Sequence, residues 1–341
     1  MARPPADRGA PRNLRYNGTL SKEERKDAMF GFFLVMPLVI IIALGNILRR
    51  RGFYSDGDVA ALSKTLYWVI LPMLLFRTTY ISGTEVLSQP NLLIAVNICY
   101  VATLAAAWLG AARFAHQGDM RRVAVSVLSD FRSNNIYLGF PVIQLAMGEA
   151  GLHLASVYIA VSMAFYQIYS IGGGEVAVTG RITAANLAGI ARKLLTNPML
   201  VSCVAGIGAA LLSVPVHFVF DETMKLVSGA ATAVALLALG GTLDIPEAHR
   251  VIEIMRRTWF DILIKLILNP LIMWGALTAF GISGDLARVT VMLSSMPCAV
   301  NCFIIAKGMG MDGDYAADLV AATTLLGIIS IPAWAYALGI V

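Results

Sequence analysis

Residues 129–141 have the sequence SDFRSNNIYLGFP and lie inside an otherwise apolar stretch at 122–147. The segment combines two charged side chains, two amides, Gly139 and Pro141. Proline removes a backbone donor and clashes with the preceding turn, so a helix that contains it is kinked or broken. The segment therefore predicts a helix that is interrupted near its centre.

A second stretch has the same character. Residues 295–301 have the sequence SMPCAVN, in which Pro297 precedes Asn301 by four residues. A shift of 166 residues along the chain aligns Ser129 with Ser295 and Asn135 with Asn301. We therefore predict two interrupted helices at equivalent places in two similar halves, with Gly139, Pro141 and Pro297 as the breaking residues.

The composition of the chain excludes several classes of protein. Of its 341 residues, 58% are hydrophobic and only 14% are charged. Soluble domains carry about 25% charged residues, and an apolar stretch of about 20 residues is long enough to cross a bilayer. A soluble enzyme, a secreted disulfide scaffold and a disordered chain are therefore excluded. The net charge of +5 comes from basic residues beside apolar stretches, which indicates cytoplasmic loops rather than nucleic-acid binding.

Apolar runs with charged, glycine or proline breaks predict an all-α membrane protein with ten transmembrane helices. The predicted spans are 29–48, 59–79, 91–112, 122–147, 152–171, 198–214, 222–243, 257–280, 286–308 and 315–340. They form two repeats of five helices, 29–171 and 198–341, joined by a cytoplasmic linker at 172–197 with an amphipathic stretch at 183–195. Because each repeat has an odd number of spans, the repeats are inverted, an arrangement that places a substrate site at the midplane.

The basic residues predict the orientation. They are concentrated after the odd-numbered spans, as in the three arginines at 49–51 and in Arg256-Arg257. Because basic loops stay in the cytoplasm, both termini are predicted to lie outside the cell membrane. The basic segment 1–28 opposes this orientation, and we expect it either to precede a natural start at Met29 or to form a disordered tail.

Polar side chains near the two interruptions are the candidate ligands of an anion. A broken helix exposes unpaired N–H groups and a partial positive charge at the start of its second half, and amide and guanidinium groups donate to carboxylates. The predicted binding residues are Arg132, Asn134, Asn135 and Asn301, with Tyr158, Ser162, Tyr166 and Gln167 on one side of the fifth span. In the alternative interpretation these groups only repair the broken backbone, pair with Asp130 or join neighbouring helices.

Charged residues inside the spans are the second candidate group. Asp130 and Lys265 each lie eight residues from a basic residue at the inner end of a span, and this places both at a depth of about 12 Å. We predict an ion pair between them, for which Asp261 competes because it lies one helical turn from Lys265. A desolvated carboxylate titrates when its pairing changes, so these residues are candidates for coupling or gating; a static ion pair is the alternative.

Catalytic and metal-binding patterns are absent from the sequence. It contains no His-Glu-x-x-His, Gly-x-Ser-x-Gly, Gly-x-Gly-Asp or phosphate-binding Gly-x-x-x-x-Gly-Lys pattern. The four cysteines lie in apolar stretches and the four histidines are scattered, so we predict no metal site. We expect a protein that is not an enzyme, has no cofactor other than H⁺ or Na⁺ as a coupling ion, and contacts lipid but no nucleic acid.

Taken in order, the motifs resemble those of the auxin efflux carrier family, which includes bacterial malonate-type transporters and plant auxin exporters. The resemblance covers 29–341 and depends on FRSN at 131–134, LGFPV at 138–142 and SMPCAVN at 295–301, with LP at 71–72, TNP at 196–198 and LGGTL at 239–243. The chain departs from the family pattern at two places. Asn135 duplicates the amide at the predicted interruption, directly after Asn134. Cys298 and Cys302 occupy positions at which small or hydroxylated residues are common in the family.

The resemblance implies a fold similar to that of sodium–proton antiporters and bile-acid symporters, in which broken helices 4 and 9 cross at the midplane. It implies a scaffold of helices 1, 2, 6 and 7, often forming a homodimer, and a moving transport domain of helices 3–5 and 8–10. It further implies secondary transport of a small organic anion, auxin- or malonate-like, by elevator-type alternating access. A Na⁺-coupled bile-acid-like symporter and a non-transporting membrane sensor are the alternatives.

Overall fold

A computed structural model describes residues 22–83, 89–180, 189, 191–192, 195–243 and 248–340, and this part of the chain is all-helical. In chain order the main helices are α1 (Lys22–Arg50), α2 (Asp56–Ser82), α3 (Pro90–Ala115), α4 (Met120–Ser129), α5 (Asn135–Thr179), α6 (Pro198–Leu211), α7 (Phe218–Thr242), α8 (Arg250–Ala279), α9 (Gly284–Ser294), α10 (Asn301–Gly308) and α11 (Gly313–Ala337). Among the described residues, six helices are long and apolar enough to cross a membrane, namely α2, α3, α5, α7, α8 and α11. The prediction of a multi-pass, all-α membrane protein is therefore confirmed.

Helix α5 differs from the prediction at both ends of the fifth span. It joins the second half of the predicted fourth span to the fifth through a kink at Gly148, whose φ of 63° suits a residue without a side chain. It then continues past the predicted end at 171 to Thr179, so the linker begins later than predicted. The amphipathic stretch predicted at 183–195 lies mostly outside the described residues, and so do residues 1–21 of the predicted tail.

The glycines at 172–174 explain why the linker starts late. A Cβ on Gly173 would lie 2.9 Å from Leu104 Cδ1 and 3.0 Å from Val127 Cγ1, and one on Gly174 would lie 2.7 Å from Met311 Cε. These glycines therefore let α5 pack closely against its neighbours. Glycines in a transmembrane helix commonly allow such close packing. The sequence alone does not distinguish glycines with this role from glycines that begin a loop.

Two close helix pairs form one side of the protein. Helix α1 packs against the second half of α7, and the second half of α2 packs against α6. A Cβ on Gly240 would lie 2.0 Å from the Ile42 carbonyl oxygen, so only glycine permits this approach of α7 to α1. Asn46 then caps the end of α7 by donating to the carbonyl oxygens of Gly240 at 3.1 Å and Leu243 at 2.7 Å.

The contact between α2 and α6 gives a first testable prediction. A Cβ on Gly206 would lie 2.6 Å from the Phe76 carbonyl oxygen, whereas Gly208 in the same helix has no such neighbour within 4 Å. Gly206→Ala should therefore destabilise the protein by about 1–3 kcal/mol. Gly208→Ala, the matched control, should raise stability by up to about 1 kcal/mol because alanine favours helix. Thermal unfolding in detergent measures both, and equal melting temperatures would contradict the close packing.

An ion-pair network joins the starts of α4, α8 and α11. Arg122 lies 2.9 Å from Asp312, and Arg257 lies 2.6 Å from Asp318 and 3.5 Å from Asp312. Partial burial raises the pKa of Asp312, but the Tyr315 amide and the Arg122 guanidinium together hold that pKa below its usual value. The network holds these three helices together at one end.

The two interrupted helices cross at their unwound segments. Helix α4 ends at Ser129 and α5 begins at Asn135, while α9 ends at Ser294 and α10 begins at Asn301. The unwound segments pair in antiparallel fashion: the Asn134 N–H donates to the Pro297 carbonyl oxygen at 2.8 Å, and the Ala299 N–H donates to that of Arg132 at 2.9 Å. We call this place the helix crossing, residues 130–134 and 295–300.

The breaking residues occupy different places relative to these segments. Pro297 lies inside the second unwound segment, where its carbonyl oxygen joins the two chains. Gly139 and Pro141 lie after the first unwound segment, in the helical continuation. A Cβ on Gly139 would approach Leu293 Cδ2 to 2.7 Å, so Gly139 lets α5 pack against α9. The interruption itself begins at Asp130, immediately after the end of α4.

Candidate functional site at the helix crossing

Arg132 lies at the centre of the candidate site. Its side chain has 0% exposure. Nη1 donates to Gln167 Oε1 at 3.1 Å and to Ser170 Oγ at 2.9 Å, and Nη2 donates to Asn301 Oδ1 at 3.4 Å. The guanidinium carbon lies 4.3 Å above the centre of the Tyr166 ring. The structure thus brings together Arg132, Tyr166, Gln167 and Asn301, four of the residues predicted from the sequence.

The charge of Arg132 is not compensated by a carboxylate. All of its hydrogen-bond partners among the described residues are neutral, and its Nε has none. A buried charge is costly unless it is paired, and intramembrane ionisable residues usually face a pathway or a ligand. Asn301 is exposed, so the site can be reached from the surface at the start of α10. The predicted alternative, pairing of Arg132 with Asp130, is not found.

Ser170 is a partner of Arg132 that the sequence analysis missed. It lies one helical turn after Tyr166 and two turns after Ser162, so it continues the predicted polar face of the fifth span. Its hydroxyl also donates to the Leu128 carbonyl oxygen at 3.2 Å, near the end of α4. The same helical spacing would have found Ser170 if the face had been followed to the last turn of the span.

The other predicted residues form a second polar group on the far side of Tyr166. The Tyr158 hydroxyl lies 3.0 Å from that of Tyr100 and close to Asn135 and Ser162. Tyr100, on α3, carried no sequence signal. All four side chains are buried. Tyr158 and Ser162 therefore lie inside the protein near the crossing, but they are not among the described hydrogen-bond partners of Arg132.

The two consecutive asparagines leave polar groups unpaired. Asn134 Oδ1 accepts from the Tyr137 N–H at 3.3 Å and so caps the start of α5, as the structural interpretation of this amide expects. Its Nδ2 and the Oδ1 of Asn135, however, have no hydrogen-bond partner among the described residues, although both atoms are buried. Buried polar groups are nearly always paired, so these atoms favour a bound ligand at the crossing.

Lys265 does not form the predicted ion pair with Asp130. Its Nζ donates to Ser133 Oγ at 2.7 Å and to the Ser294 carbonyl oxygen at 3.2 Å. Ser294 ends α9, and the C-terminal end of a helix carries a partial negative charge that attracts a cation. Helix orientation, which depth alone does not reveal, thus directs Lys265 to the end of α9.

The carboxylates predicted to compete for Lys265 lie together instead. The Asp130 carboxyl faces that of Asp261, and both have 0% exposure. Asp261 Oδ2 accepts from the Tyr315 hydroxyl at 2.5 Å and lies 3.6 Å from His116 Nε2. His116 and Tyr315 were missed by the sequence analysis because each is a single polar residue with no repeated spacing.

The cysteines at the crossing show no metal-binding arrangement. Cys298 and Cys302 are buried, and both carry free thiols. Within the part of the chain that the structure describes, no group of three or more His, Cys, Asp or Glu residues is placed to hold a metal ion. The side-chain hydrogen-bond donors near the crossing are the amides of Asn134 and Asn301, the guanidinium of Arg132 and the hydroxyls of Ser133 and Ser170.

Comparison with known proteins identifies the class. Residues 179–335 match the family described as "Membrane transport protein". The chain is 25% identical over 306 residues, 89% of this chain and 94% of the relative, to a "Putative malonate transporter" of Rhizobium meliloti. It is 22% identical to an uncharacterized transporter of Escherichia coli over 90% of this chain and 98% of the relative. It is 21% identical to "Auxin efflux carrier component 5" of Arabidopsis thaliana over 81% of this chain and 88% of the relative.

The protein is thus a membrane transporter and not an enzyme, since its relatives are transporters by name. The match of residues 179–335 to the membrane transport protein family and the similarity to an auxin efflux carrier and to a putative malonate transporter confirm the resemblance recognised from the sequence motifs.

Proposed function

We propose that the protein is a secondary transporter of a small organic anion, a malonate- or auxin-like carboxylate, and that the anion binds at the helix crossing. The observation that carries this proposal is Arg132, a guanidinium with 0% exposure whose partners among the described residues are all neutral. A carboxylate can accept two parallel hydrogen bonds from a guanidinium, and it would supply the missing negative charge.

The backbone of the crossing supports the same substrate class. Helices α5 and α10 both begin here, at Asn135 and Asn301, and helix N-termini attract anions through unpaired N–H groups and a partial positive charge. The unpaired Nδ2 of Asn134 adds a side-chain donor. The Nε of Arg132 is unpaired as well, so at least two side-chain donors at the crossing are free to bind a carboxylate.

The arrangement of the helices supports ten spans in two inverted repeats. In such an architecture the pairing of α1 with α7 has its symmetry mate in the pairing of α6 with α2, and both contacts are present. The two interrupted helices, α4–α5 and α9–α10, are the equivalent elements that cross. We assign α1, α2, α6 and α7 to a scaffold and the remaining helices to a transport domain that moves past it.

A cavity at the boundary between the two parts supports alternating access. It has a volume of about 500 Å³ and lies between α2 and α7 of the scaffold and α5 of the transport domain. Its lining includes Arg77, Thr78, Gln144, His153 and Thr232. It lies at the end of α2 that is predicted to face outward, so it offers an aqueous opening beside the surface along which the transport domain would move.

Uptake into proteoliposomes tests the proposal. The purified full-length protein should accumulate radiolabelled malonate or indole-3-acetate, and Asn134→Ala and Asn301→Ala should each reduce the initial rate about tenfold, a loss of roughly 1.4 kcal/mol. Asn91→Ala is a matched control, because this amide is exposed and donates to the Phe280 carbonyl oxygen, away from the crossing. Wild-type uptake rates in both Asn134→Ala and Asn301→Ala would rule out the proposed anion site. Binding of either acid without any flux would instead indicate a sensor.

A further inference from the structure

Asp130 and Asp261 form a buried carboxyl pair that the proposed anion site does not use. Asp130 is the C-cap residue of α4, where the negative end of the helix disfavours a carboxylate. Neither of its oxygens, nor Asp261 Oδ1, receives a hydrogen bond from any described residue, and all three atoms are buried. Two ionised carboxylates side by side repel each other, and burial removes the water that would stabilise them. The pair therefore lacks at least one hydrogen-bond donor.

The groups around the pair do not supply this donor. Tyr315 donates to the other oxygen of Asp261, and His116 Nε2 lies 3.6 Å from that same oxygen. Lys265 and Cys302 are also close to Asp130, but the ammonium group donates to Ser133 and Ser294. On the side of Tyr315, Arg257 binds Asp312 and Asp318.

We propose that Asp130 and Asp261 hold one proton between them and that this pair is the ion-coupling site of the transporter. The inference depends on the proposed function, since it names the ion that accompanies the anion. In the protonated state the Asp130 carboxylic acid donates its O–H to the Asp261 carboxylate. In the deprotonated state both groups are anionic, and one proton has passed to water.

His116 provides the route for this proton. Its Nε2 lies 3.1 Å from Ser126 Oγ as well as near Asp261, and the ring packs at 4.9 Å, centre to centre, against Tyr315. His116 is followed by exposed residues 117–120. His116 thus lies between Asp261 and the exposed residues that follow it, and an imidazole is a group that can relay protons.

The position of the pair couples the proton to the anion. Asp130 and Arg132 lie in the same unwound segment, two residues apart. When the pair is protonated, the positive charge of Arg132 is available to a carboxylate; when it is deprotonated, the second negative charge nearby opposes the anion. Binding of the proton and binding of the anion therefore favour each other, and this linkage is reciprocal. The expected mode is proton–anion symport.

Infrared difference spectroscopy of the purified protein tests the proton site without any substrate. The wild type should show the carbonyl stretch of a protonated carboxylic acid that disappears as the buffer is made alkaline. This band should be absent from Asp130→Asn and retained in Asp285→Asn, a matched control in which an exposed carboxylate paired with Arg288 is changed. Asp261→Asn serves as the second variant if Asp130→Asn does not fold. A wild type without a band that depends on Asp130 or Asp261 would overturn the inference.

Malonate binding at several pH values tests the coupling. The wild-type Kd should rise by up to about tenfold for each pH unit over which the pair loses its proton. The Asp130→Asn variant mimics the protonated acid. Its Kd for malonate should change with pH only as malonate itself titrates. Parallel pH profiles for the two proteins, or a dependence on Na⁺ in place of pH, would overturn proton coupling. A wild type that fails to bind malonate would instead count against the proposed substrate, while the infrared result would still decide the proton site.

Discussion

Arg132→Gln is expected to abolish malonate binding and transport while leaving the folded protein intact. Loss of one partner of a buried, hydrogen-bonded charge pair costs about 2–5 kcal/mol, so the Kd should rise by a factor of roughly 30 or more. The expectation for stability is different. Because Arg132 has no carboxylate partner among the described residues, its removal eliminates the cost of a buried charge. The ligand-free melting temperature should therefore stay the same or rise.

Two further variants make this test specific. Arg132→Lys keeps the positive charge but loses the planar guanidinium group. It should therefore bind malonate more tightly than Arg132→Gln but more weakly than the wild type. Arg288→Gln is the matched control, because Arg288 is about half exposed and pairs with an acidic residue of the same helix, Asp285, at 3.1 Å. Melting temperatures with and without malonate measure the effect, since a ligand of the folded state raises apparent stability. A lower ligand-free melting temperature with an unchanged malonate shift would make Arg132 a structural residue.

Crosslinking the proposed scaffold to the proposed transport domain is expected to stop transport. The Thr232 hydroxyl on α7 donates to Gln144 Oε1 on α5, so these two side chains touch across the boundary. A Gln144→Cys/Thr232→Cys double variant, treated with a short bifunctional thiol reagent, should lose nearly all uptake. Each single variant should keep its rate. The four native cysteines are buried, which limits their reaction with the reagent.

A crosslink inside the scaffold provides the control for this experiment. Arg77 and Asp221, on α2 and α7, lie 2.8 Å apart, and both belong to the proposed scaffold. The Arg77→Cys/Asp221→Cys double variant should form the same linkage but continue to transport. Continued transport in both linked proteins would contradict movement of α5 past α7. Arrest in both would mean that the reagent, and not the position of the linkage, inhibits the protein.

Composition and local chemistry were sufficient to predict the class and its central feature. Long apolar runs can cross a bilayer only as helices, because each must satisfy its own backbone hydrogen bonds. Breaking and polar residues at 129–141 and 295–301 predicted two interrupted helices, and the interruptions lie at 130–134 and 295–300. Arg132, Tyr166, Gln167 and Asn301 were found because each lies close in sequence to an interruption or follows a helical repeat.

Contacts between distant segments were not predictable in the same way. The sequence predicts a depth for Lys265, but depth does not determine which neighbour a side chain faces. The partner of Lys265 is the end of α9, and the position of that end depends on where α9 stops. The glycines at 172–174 were predicted to open a linker, because the sequence does not show that Leu104, Val127 and Met311 pack against them.

The sequence by itself thus determined an all-helical membrane protein with two broken helices and an arginine at one break, since these follow from hydropathy and backbone chemistry along a single segment. Only the tertiary structure decided that Asp130 faces Asp261 rather than Lys265, and that Arg132 has neutral partners. The physical reason is that electrostatic pairing depends on distance and direction in space. Both are fixed by how segments that are distant in the sequence pack together, and no local pattern encodes them.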